Sequence, residues 1–165
     1  MSQASIQTAK TVHQLVIGSI QAIPEEIYDI TPAGFKNTIR WNTGHIVTML
    51  NWFLSASPAL NTKLPENYSG LFMTGTKPSD WTATPPSKEE LIQYLSVQYD
   101  DLSKVNPESL IIPLNPPFEM GPLRFETAGE LFNFAFIHEA MHLGIISSLV
   151  KTVQADNEAC LNERG

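Results

Sequence analysis

Apolar residues recur at three- and four-residue intervals in four stretches of the chain, the spacing of one helix face. The first stripe is Ile6, Ala9, Val16, Ile17 and Ile20. The second is Trp41, His45, Met49 and Trp52, and the third Leu91, Leu95, Leu102 and Val105. The fourth runs Leu131, Phe134, Ala135, His138, His142, Ile145, Ile146 and Leu149. Proline, which breaks helix interiors, is absent from residues 1–23, 38–57, 87–106 and 123–165, the windows that hold these stripes. Start signals agree. Asn37 or Thr38 can cap the second helix, and Ser87 with Glu90 and Thr127 with Glu130 have capping-box spacing. The pattern predicts helices near 3–22, 38–56, 87–105 and 127–153.

Two connections rich in Pro and Gly, roughly 57–86 and 106–125, separate the later helices. Loops of that length in a small domain commonly carry function, and here they are expected to rim the site and select a substrate. The stretch LIIPLNPPFEM could hold a short extended segment, but its prolines argue against a central strand. The expectation is an all-α fold, a four-helix bundle with long crossover loops, with residues 1–165 forming one domain.

Composition narrows the function. The 165 residues carry 10 basic and 17 acidic side chains, a net charge of −7. That balance repels phosphate backbones and anionic membrane surfaces, so neither nucleic acid nor membrane is an expected partner. No apolar run approaches the ~18 residues of a membrane span. The first ten residues lack a signal-peptide pattern, and the single cysteine, Cys160, fits a reducing compartment, so a cytoplasmic location is expected.

The candidate chemistry is concentrated in His138-Glu139-Ala140-Met141-His142. Histidines four apart share a helix face, close enough to hold one ion, and both lie within an apolar stripe. An open metal site uses three protein ligands, and His45, on the inward stripe of the second helix beside Gly44, is the natural third. Three neutral imidazoles leave a divalent ion its full charge, so a coordinated water or thiol would be strongly acidified. Imidazole donors suit zinc, nickel, iron or cobalt, and one divalent ion per chain is expected, with manganese a further option. His13 fits the first stripe as a core or surface histidine, or as one near the site. Asn42 and Asn133 are candidates to orient a ligand.

The same five residues spell HExxH, in which Glu139 would be the general base of a zinc peptidase. Glu139 points ~100° around the helix from His138, and a third ligand downstream would have to come from Asp156, Glu158 or Glu163. No phosphate-binding glycine loop or GxSxG elbow is present. Cys160 has no basic neighbour before Arg164 to activate it.

Taken together, NTIRWNTGHIVTMLNWF around His45 and ETAGELFNFAFIHEAMHLG around His138 and His142 resemble the DinB superfamily, including its YfiT-like metal-dependent hydrolases. The resemblance implies a helical bundle binding a divalent metal through His45, His138 and His142. It also implies a frequent homodimer, and activities that are hydrolytic or transfer low-molecular-weight thiols to small molecules. Non-catalytic metal binding or sensing is the competing reading. After His142 the chain reads Leu143-Gly144-Ile145, where many members have a polar residue, glycine and glutamine.

Overall fold

The structure is a computed structural model that describes residues 2–55 and 63–162. Among the described residues five α-helices form: α1 (Ser2–Ala22), α2 (Ile39–Ser55), α3 (Asn67–Phe72), α4 (Lys88–Leu102) and α5 (Ala128–Asn162). Two strands, β1 (Pro113–Met120) and β2 (Leu123–Thr127), pair antiparallel between α4 and α5. The fold is thus mostly helical with a small two-stranded sheet, which corrects the all-α expectation. Prolines did argue against a central strand, but this hairpin consists of two edges, where a missing N–H costs no ladder bond. Residue 56, positions 57–62 of the first expected loop, and Glu163 lie outside the described residues.

Helix starts follow the capping chemistry. Thr38 Oγ1 accepts from the Trp41 N–H at 3.1 Å. Thr127 and Glu130 form a reciprocal box, with Glu130 N on Thr127 Oγ1 and Thr127 N on Glu130 Oε2. Ser87 accepts from Glu90 N, while the Glu90 carboxylate turns away to accept from Tyr68 Oη. Helix α5 continues nine residues past its expected end at 153, to Asn162. The apolar stripe stops at Val153, but no proline or glycine follows before Gly165 to end the helix.

Helix α5 packs on α1 and α2, and both of these pack on α4. The buried apolar residues divide into two clusters. One holds Val16, Ile20, Ile46, Leu91, Leu95 and Leu149. The other holds Ile6, Leu50, Phe53, Leu102, Leu131 and Phe136. On α1, α4 and α5 a buried polar side chain falls between the two, His13, Gln98 and Glu139 respectively, while on α2 the buried His45 stands within the first cluster's stretch, between Trp41 and Ile46. A polar layer therefore crosses the middle of the helical body. Such groups are tolerated in a core only when hydrogen-bonded or put to use.

Candidate metal centre

Two helices supply the three imidazoles. His45 comes from the middle of α2, and His138 and His142 lie one turn apart on α5. One ring nitrogen from each lies within 4.8 Å of the others. The His45 and His138 Nε2 atoms are 3.3 Å apart.

The surrounding bonds settle which nitrogens carry protons. His45 Nδ1 lies 2.6 Å from the Phe72 carbonyl. A carbonyl only accepts, so Nδ1 holds the proton and Nε2 keeps its lone pair. Asn42 Nδ2 donates to Thr38 O at 2.8 Å, which turns Asn42 Oδ1 toward His142. His142 Nδ1 donates to that oxygen at 2.9 Å, leaving its Nε2 as an acceptor too. Orienting bonds of this kind are what metal-ligating histidines ordinarily have. His138 is held by ring contacts instead, edge-on to Phe53 at 5.4 Å.

The Phe72 carbonyl reaches His45 because of Gly44. A Cβ at Gly44 would collide with the Phe72 ring, so only glycine lets α3 sit this close to α2. Trp41 stacks on His45 at 4.6 Å, and its indole N–H is fixed by Thr76 Oγ1 at 2.9 Å.

All three rings are held neutral. Burial lowers the His45 pKa, against a smaller opposing effect of the Phe72 carbonyl. Burial and then His45 bring His138 down to about 4. Burial, His45 and His138 bring His142 down to about 3. Neutral rings from which nitrogens converge, two of them already holding the lone pair at Nε2, are what a divalent ion requires of its imidazole ligands, so the donor set fits such an ion.

The histidines line a cavity of 1190 Å³, within which Trp41, Met141 and Ile145 provide apolar wall. Its remaining lining comes from Asn42 and from residues within 31–37 and 74–79. Only part of the expected rim is therefore present. The 57–86 connection contributes, 106–125 does not, and the short α1–α2 connection takes its place. The β1–β2 hairpin is occupied elsewhere: Phe118 packs on Trp52 and Phe53, and Phe125 on Phe134. No sequence signal marks 31–37 as part of a site, because the stretch meets the histidines only through tertiary placement.

Glu139 is 0 % exposed, and His13 Nδ1 lies 2.9 and 3.1 Å from its two carboxylate oxygens. The other nitrogen of His13 lies 2.8 Å from the Leu95 carbonyl. Glu139 is not among the residues lining the cavity. Asn133 is exposed on the first part of α5 and does not line it either. Glu158 is exposed on the same continuous helix as His142. Sixteen residues separate them, roughly 24 Å at 1.5 Å per residue, too far to share an ion. Cys160 is an exposed free thiol.

A family model described as the DinB superfamily matches residues 9–146, a span that includes all three clustered histidines. Comparison with curated proteins gives no match. Among the described residues, no helix is long and apolar enough to cross a membrane.

Proposed function

The chain belongs to the DinB superfamily, and on that premise we propose that it is a metal-dependent enzyme acting on a small molecule, by hydrolysis or by transfer of a thiol. The observation that carries this reading is the convergence of three neutral imidazoles at one side of an open cavity. In it, His45, His138 and His142 hold one divalent ion, zinc or nickel before iron, cobalt or manganese. When bound, such an ion acidifies a water or thiol at its open position toward neutral pH.

The chain's own residues prepare that position. Asn42 and the Phe72 carbonyl hold two rings in the ligating tautomer. Trp41 covers one face of His45, and Met141 and Ile145 give the substrate an apolar wall. Glu139 is read as the charge partner of His13. The HExxH peptidase reading thereby lacks a free base, and Glu158 lies too far along α5 to complete its ligands.

In this reading residues 1–165 form one DinB-type domain, in which α1, α2, α4 and α5 are the four-helix bundle. A homodimer is proposed through the side of α5 that presents Ile137, 58 % exposed and outside the cavity lining. Sedimentation equilibrium giving a single-chain mass would remove that part. A reducing, cytoplasmic setting fits the free thiol of Cys160.

The test is the visible spectrum of cobalt-substituted protein between pH 5 and 10. A spectral transition in that range is the expected sign of an exchangeable position. A flat spectrum would leave a closed, structural metal as the better reading, because structural sites are filled by protein ligands.

A further inference from the structure

We propose that the cavity beside the three histidines takes a small organic anion, whose negative group is held between Lys36 and Lys77. This deepens the reading of the site as a small-molecule centre and rests on it.

The first observation is a charge inversion. The chain carries 17 acidic against 10 basic residues, yet the charged side chains lining the cavity, apart from the histidines, are Lys36 and Lys77, with no carboxylate among them. A cationic concavity on an acidic protein draws anions to itself and turns cations away.

The second observation is how the lysines are presented. Residues 32–35 form a turn closed by Phe35 N on Pro32 O at 3.1 Å, with Gly34 at φ 86° in its third position. Residues 73–76 form the same turn, closed by Thr76 N on Met73 O at 3.1 Å, with Gly75 at φ 95°. A positive φ confined to the third residue defines the type II turn, which favours glycine there. Each turn reads Gly-x-Lys, so two separate connections deliver a lysine to one cavity by the same local geometry.

The lysines are available. Lys36 is exposed and has no ion pair among the described residues. Lys77 meets Asp80 at 3.5 Å with both side chains about half exposed, a contact weak enough to be exchanged for a better acceptor. Next to Lys36, Asn37 Oδ1 is buried without a hydrogen-bond partner and lines the same cavity, ready to accept from a ligand hydroxyl or amide. Apolar wall at Trp41, Met141 and Ile145 accommodates a carbon body between the anionic end and the histidines. Carboxylate and phosphate share this recognition chemistry.

The experiment is calorimetric titration of the full chain, zinc-loaded and metal-free, with hexanoate, hexyl phosphate and the neutral hexanamide. The expected result is that at least one anion binds about tenfold or more tighter than hexanamide. The Lys36→Ala/Lys77→Ala double variant should lose about that factor with its zinc content unchanged. Whichever anion binds tighter identifies the source of the charge. Equal binding of hexanamide, no binding of either anion, or a double variant as tight as the parent would overturn the proposal. Failure to load one zinc per chain would count against the metal reading alone, and the metal-free titrations then decide the lysine clamp by the same comparison.

Discussion

His13 and His45 are both buried against α5, 0 % and 3 % exposed, and their surroundings set them to different tasks. His13 faces an acceptor at each nitrogen, the Glu139 carboxylate and the Leu95 carbonyl. Burial alone would lower its pKa. The Glu139 charge, the bond to it and the Leu95 carbonyl outweigh burial, and the net shift is upward. His45 has one acceptor, the Phe72 carbonyl, and its second nitrogen faces two more imidazoles with no carboxylate in the cluster. Burial there dominates and the shift is downward. Where every proton site is matched, a histidine is a structural cation. Where one lone pair is left unmatched beside two other imidazoles, it becomes a ligand. The two kinds of site sit in neighbouring residues of one helix turn, His138 and Glu139.

The largest break in this comparison should come from Glu139→Ala, which leaves His13 buried with no charge partner. Truncating one member of a buried pair costs about 3–5 kcal/mol. Urea unfolding should show a loss of that size, whereas His13→Leu/Glu139→Leu together should cost far less, since an apolar pair leaves nothing unpaired. A loss below about 1 kcal/mol in Glu139→Ala would mean the pair is not a charge pair.

On the other side of the comparison, Asn42→Ala should weaken metal binding by about 10–100-fold, because His142 loses the acceptor that fixes its tautomer. Competition with a chelator measures this, and an unchanged affinity would remove Asn42 from the account.

The most discriminating test is one of sign: pH should act on the two sites in opposite directions. In metal-free protein the His138 and His142 pKa values lie below the ordinary 6.5, at about 4 and about 3. The unfolded chain therefore binds more protons below pH 6.5, and stability from these rings falls as pH drops from there toward 3. The folded His13 pKa lies above 6.5. Its contribution is complete below pH 6.5 and is lost as pH rises through the raised value. Unfolding from pH 4 to 9 should show both limbs. His13→Leu/Glu139→Leu should flatten only the alkaline one, and loss of the acid limb in that variant would show that the assignments are crossed.

Much of this was legible in the sequence, for identifiable reasons. Periodicity and proline placement give the four long helices, because both follow from local backbone rules. The spacing of His138 and His142 is equally local. His45 requires α2 and α5 to meet, which no local pattern shows; Gly44 beside it marks instead the close approach of α3, whose Phe72 carbonyl orients the ring. The β1–β2 hairpin was hidden by the prolines that discourage a central strand. Glu139 reads as a peptidase base until His13, 126 positions away in sequence, is seen against it. The contribution of residues 31–37 to the cavity is tertiary throughout and left no pattern to read.

The most direct test of the central claim is elemental analysis of the purified protein beside His45→Ala, His138→Ala, His142→Ala and Glu139→Gln. The account predicts one divalent ion per chain in the parent and in Glu139→Gln, and its loss from each histidine variant. Stoichiometric metal retained in all three histidine variants would contradict it.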